Sequence, residues 1–126
     1  MNILLWILQV ALAAVFLLAG STKGWTPLAE LGTRVPWVPD VPGWVPRLAG
    51  FSEILGALGL ILPAATRIKP WLTPLAASAL GLVMVLAMIF HLVRGEVPAA
   101  GFNLALLLVC LLVAWGRQKK VPIQPR

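Results

Sequence analysis

With a single cysteine, Cys110, the chain cannot close a disulfide within itself. It also has no Cys-x-x-Cys, which excludes dithiol chemistry of the isomerase or quinone-linked oxidase kind in one copy. A single histidine, His91, cannot supply both axial ligands of a haem. A zinc site built on His91 and Glu53 would lack a third strong ligand, so no metal site is expected. Charge is scarce: 11% of the residues are charged and only four are acidic. No Gly-rich phosphate loop, no Ser–His–acid set and no paired intramembrane carboxylates appear, so hydrolase and nucleotide chemistry have no support.

What fills the chain instead is apolar. Of 126 residues, 60% are hydrophobic, more than a soluble domain of this size can hide. The chain reads as one integral membrane domain over residues 1–126, with the lipid bilayer as its first partner. The net charge of +6 is no nucleic-acid patch, because the basic residues sit at the ends of apolar segments. The first segment has about 20 apolar residues and no basic leader, which favours a retained membrane helix over a signal peptide.

Four helices are expected: Asn2 to Lys23, Pro46 to Leu62, Trp71 to Val93 and Pro98 to Trp115. Each has about 17 to 23 residues, enough or nearly enough to span about 30 Å of hydrocarbon. Pro63 and the Ala64–Pro70 turn are expected to end the second. The fold class is all-α, a four-helix transmembrane bundle with a long Pro/Trp-rich loop between its first two helices. The loop's core, Trp37 to Pro46, is too proline-broken to be helical throughout and is expected to lie on the bilayer surface as extended turns. Trp6, Trp71 and Trp115 fall at one end of such a bundle and Trp25, Trp37 and Trp44 at the other, as interfacial tryptophans should. The Trp6 end carries Arg67, Lys69, Arg117, Lys119, Lys120 and Arg126. The other end carries Lys23, Arg34, Arg47 and Arg94. The excess places both termini on the cytoplasmic side of a multi-pass cell-membrane protein, expected in a bacterial inner membrane.

In that topology Lys23, Glu53, His91 and Asn103 share the outer third of the bundle. An ionisable group within a membrane is a functional-site hypothesis by default. Each shares a helical stripe with small residues or methionine: Gln9, Ala13 and Gly20 with Lys23; Gly50, Ala57 and Ala64 with Glu53; Ala77, Gly81, Met84 and Met88 with His91; Cys110 and Ala114 with Asn103. Such stripes face other helices. Glu53 needs a partner or a ligand, and an approach to His91 is expected. Simpler roles stay open: a register-fixing network for Glu53, an interfacial place for His91, interhelical hydrogen bonds for Asn103 and Gln9, and snorkelling for Lys23. Cys110 reads as packing.

The elements Phe16-Leu17-Leu18-Ala19-Gly20-Ser21-Thr22-Lys23 and Gly50-Phe51-Ser52-Glu53-Ile54-Leu55-Gly56-Ala57-Leu58-Gly59-Leu60, with His91 and Asn103, resemble the DoxX-like family of membrane proteins. The resemblance implies a four-helix membrane fold. It also implies an association with quinone-linked oxidoreductases through small subunits, with distant relatives acting as membrane chaperones or cargo receptors. Lys23, Glu53, His91 and Asn103 are the positions that match its pattern.

Three functions follow as expectations. The first is a site for a lipophilic small molecule, quinone-like, in an elongated apolar pocket ending at Glu53, His91 and Asn103 and covered by the Trp37–Trp44 loop. His91, Lys23 and Asn103 would donate to quinone carbonyls and Glu53 would relay a proton. With no intrinsic cofactor, a redox partner protein would supply electrons. The second is a non-enzymatic assembly factor or chaperone whose polar cluster is structural. The third is a proton-coupled transporter, which four helices would support as a homo-oligomer.

Overall fold

The computed structural model describes residues 1–125. Among them are five α-helices: α1 (Asn2–Trp25), α2 (Leu28–Arg34), α3 (Trp44–Thr66), α4 (Leu72–Val93) and α5 (Val97–Trp115). Four of these, α1, α3, α4 and α5, are long and apolar enough to cross a membrane, the last together with its C-terminal extension to Lys120. The chain is a multi-pass membrane protein of four such helices. Their contacts close a ring in the order α1, α3, α4, α5, so α3 and α5 face each other diagonally.

The stripes expected to face inward do so. Gln9, Ala13 and Gly20 of α1, Gly50, Glu53, Ala57 and Ala64 of α3, Ala77, Gly81 and Met84 of α4, and Asn103, Cys110 and Ala114 of α5 are all buried. Met88 and His91 on the α4 stripe are half-buried. Phe16, Leu60, Leu80 and Val113 fill the centre. Leucines such as Leu18, Leu55, Leu82 and Leu108 point outward, an arrangement costly in water and favourable in lipid.

Helices α1 and α3 meet at bare backbone. Gly20 and Gly24, four residues apart, meet Gly50: a Cβ added to Gly20 would lie 2.6 Å from the Gly50 carbonyl oxygen. Bare backbone at these positions lets the two helices touch.

Two expectations need correction. Helix α3 does not stop at Pro63 but continues to Thr66. A proline there removes the hydrogen bond that would reach the Gly59 carbonyl. Thr73 Oγ1 of α4 donates to that carbonyl at 3.1 Å, and Gln9 Nε2 of α1 donates to the next one, Leu60 O, at 2.7 Å. The Thr73 side chain thus satisfies the carbonyl that the proline releases, the condition for proline in a membrane helix. The first loop is also more ordered than extended turns. It holds α2 and a 3-10 turn, Val38–Asp40, which pack on each other and bury Leu31 and Val38.

Candidate functional site

Lys23 stands in the last turn of α1, beside the Gly20–Gly50 contact, and Glu53 lies three residues beyond Gly50 on the same face of α3. The close helix approach therefore brings the two side chains together. Lys23 Nζ donates to Glu53 Oε1 at 2.5 Å, and the Lys23 carbonyl accepts from Arg47 Nη1 at 3.0 Å. Glu53 is 3% exposed and Lys23 18%. Glu53 Oε2 makes no hydrogen bond among the described residues, and neither does Asn103 Nδ2. No interhelical hydrogen bond from Asn103 Nδ2 is formed among the described residues.

His91 is not Glu53's partner. At the end of α4, Gly95 takes a φ of +77°, a conformation that glycine adopts without cost. The Gly95 amide then donates to Leu92 O at 3.1 Å and the Glu96 amide to His91 O at 2.8 Å, a Schellman turn. That turn swings the Glu96 side chain back to His91, whose Nδ1 donates to Oε1 at 2.8 Å. Arg94 Nε donates to the same oxygen at 3.0 Å, and Arg94 Nη2 pairs with Asp40 Oδ2 of the first loop at 2.9 Å. The hydrogen bond from His91, and then that from Arg94, hold the Glu96 carboxyl below the ordinary carboxylate range. The hydrogen bond to Asp40, with that to Glu96, holds Arg94 above its own. Trp37 packs edge-on against Phe90 with ring centroids 5.5 Å apart, and Phe90 against His91. The loop is thus tied to the α4–α5 turn by Asp40 and Trp37, while Trp44, at the first position of α3, is 65% exposed.

Two pockets open among the described residues. One, of about 520 Å³, lies within the first loop between Leu28, Gly32, Val38 and Gly43. The other, of about 530 Å³, is an apolar groove between α3 and α4 running from Ser52 to Pro63, with Leu75, Ala79 and Val83 opposite. Neither is lined by Glu53, His91 or Asn103.

A family model, described as the DoxX-like family, matches residues 7–113. The chain belongs to the DoxX-like family. That span holds Lys23, Glu53, His91 and Asn103, so every site position singled out lies within the DoxX-like part of the chain. No curated protein and no solved structure matches it.

Sequence reasoning passed over Arg94, Glu96 and Asp40 as ordinary loop charges, and Arg117 as an orientation charge. Arg117 is 2% exposed. The spacing His91-x-x-Arg94-Gly95-Glu96 was the available signal for the first group, because a glycine just past a helix end marks a reversal that returns the next side chain to the last turn.

Proposed function

We propose that this DoxX-like chain is a binding subunit for a lipophilic small molecule with a carbonyl or hydroxyl head, quinone-like in chemistry, received between Glu53 and Asn103. What supports the reading is the pair of buried atoms left without partners. Glu53 Oε2 can only accept if the carboxylate is ionised, and Asn103 Nδ2 can only donate. A carbonyl head accepts from the amide, and its reduced, hydroxylated form donates to the carboxylate. Both residues enter their helices from the same end, about 13 Å down α3 and about 9 Å down α5 at 1.5 Å per residue. Leaving a buried polar group unpaired costs ~1–3 kcal/mol, which a bound head would offset. Electrons for any turnover come from a redox partner protein, and His91 serves at the rim.

The binding test compares a labelled short-chain quinone on the parent and on Asn103→Leu. The parent should bind saturably, and Asn103→Leu should bind about tenfold more weakly, the loss of one good hydrogen bond. Its melting temperature should hold or rise, because the Nδ2 donor removed has no partner among the described residues. A large fall in melting temperature with binding unchanged would make Asn103 structural. No saturable binding to the parent across several lipophilic ligands sinks the proposal. It would promote the assembly-factor reading, for which the open α3–α4 groove is the client surface.

We further propose that both termini face the cytoplasm of a bacterial inner membrane. All four carboxylates, Glu30, Asp40, Glu53 and Glu96, lie toward one end of the bundle. Arg67, Lys69, Arg117, Lys119 and Lys120 lie at the other, while Arg126 is outside the described residues. On a background without Cys110, an impermeant thiol reagent applied to intact cells should label a cysteine at Asp40 and spare one at Lys120. The reverse pattern overturns the orientation.

A further inference from the structure

We propose that Arg117 is a second binding site, at the end of the bundle opposite Glu53, for a phosphate group presented by the headgroup of an anionic lipid. The residue follows α5 directly, in a π-helical turn, Gly116–Lys120. Single π turns within or at the end of α-helices often mark functional positions. Gly116 lets this turn lie against α1, since a Cβ there would sit 2.7 Å from Leu5 Cδ2. The turn carries the Arg117 side chain into the bundle instead of out to water.

Its guanidinium is held by neutral atoms only. Nε donates to Gln9 Oε1 at 2.6 Å, and Nη1 donates to Asn2 Oδ1 at 2.7 Å and to the Val121 carbonyl at 3.0 Å. Gln9 is fixed for this purpose by its own bond to Leu60 O. Nη2 is buried and has no partner among the described residues. A cation at this depth calls for a counterion. The chain has four acidic residues, and Glu30, Asp40, Glu53 and Glu96 all belong to the opposite end. None of the four acidic side chains can serve it, which leaves a place for a negative group from outside.

The surroundings select a phosphodiester. A guanidinium fork matches phosphate oxygens with two parallel donors. Trp6 lies 5.6 Å under Arg117 and Trp115 5.6 Å under Lys120, which sets the group at headgroup level, where tryptophan gathers. The segment after the π turn crosses the site, held by Arg117 at Val121 and by Arg67 Nε at Gln124 O, 2.7 Å. Both ties end on neutral carbonyls, so a phosphate that displaces Val121 from Nη1 gains both terminal nitrogens and exchanges a dipole for a charge. Arg117 itself lies beyond the matched residues 7–113, while Gln9, which holds it, lies within them.

The test uses the full chain in neutral detergent. Native mass spectrometry reads the adducts formed with equimolar dioleoyl phosphatidylglycerol and dioleoyl phosphatidylcholine. The parent should retain phosphatidylglycerol about tenfold over phosphatidylcholine, because the choline cation offsets the phosphate charge that the guanidinium calls for and is repelled by it. Arg117→Gln should bring the ratio to about one, and Lys119→Gln with Lys120→Gln should keep most of it. If Arg117→Gln does not fold, Arg117→Lys is read instead: it keeps the charge, loses the fork, and should cut the ratio severalfold. No preference in the parent overturns the proposal, as does a preference carried by the two lysines and indifferent to Arg117. Inorganic phosphate raising the melting temperature as much as phosphatidylglycerol would assign the site to a soluble anion and overturn the lipid source.

Discussion

Lys23→Met should destabilise the protein by about 3–5 kcal/mol, the range seen when one partner of a buried ion pair is removed. The asymmetry of the pair fixes the direction. Glu53 is 3% exposed and has Lys23 as its hydrogen-bonding partner, at 2.5 Å. Removing the lysine leaves a carboxylate in the bundle interior with both oxygens unpaired. The protein must then either neutralise it or pull it toward water, and either response loosens the α1–α3 contact. Replacing both partners with apolar residues of similar volume, Lys23→Met with Glu53→Leu, should recover most of the loss, because no charge is then stranded. Glu53→Gln should fall between, since an amide still accepts from Lys23. Thermal melting in one detergent, followed by denaturant titration of the three variants, measures the series. A loss below about 1 kcal/mol for Lys23→Met would mean that the pair is wet, as exposed pairs are.

The inward faces of the four spanning helices were legible because two independent signals coincide on them. Polar residues in a membrane segment face protein, and small residues mark where helices touch, so Gly50 and Glu53, or Cys110 and Asn103, fall on one stripe by the helical period alone. Pairing was not legible to the same degree. Same depth on inward stripes suggested Glu53 with His91, but three glycines draw α1 against α3 and hand Glu53 to Lys23. His91 is claimed by Glu96 through a turn whose geometry depends on one glycine at positive φ. Pro63 reads as a helix stop because the rescue of its free carbonyl comes from Thr73, on the next helix. Arg117 reads as an interfacial charge because a basic residue after an apolar run normally is one. The π turn that buries it has no sequence period to betray it.

Gly50→Val should be at least as damaging as loss of the ion pair, and for a different reason. A Cβ on Gly50 would stand 2.7 Å from Gly20 O and 2.7 Å from Gly24 N, and both are backbone atoms of α1. No rotamer change relieves a clash with backbone, so the helices must separate along this contact. Overpacking a tight core costs about 1–3 kcal/mol even where side chains can yield, and here they cannot. The separation also draws Lys23 away from Glu53, three residues further along α3. Gly50→Val and Lys23→Met should therefore be strongly non-additive, the double variant losing little beyond the worse single one. Gly101 provides the control: nothing lies within 4 Å of a Cβ added there. Gly101→Ala, in the body of α5, should be neutral or stabilise by about 0.5–1 kcal/mol through helix propensity alone. Melting of Gly50→Val, Lys23→Met, their combination and Gly101→Ala in one detergent separates the terms. Full additivity of the first two would show that the glycine contact and the ion pair stabilise the bundle independently.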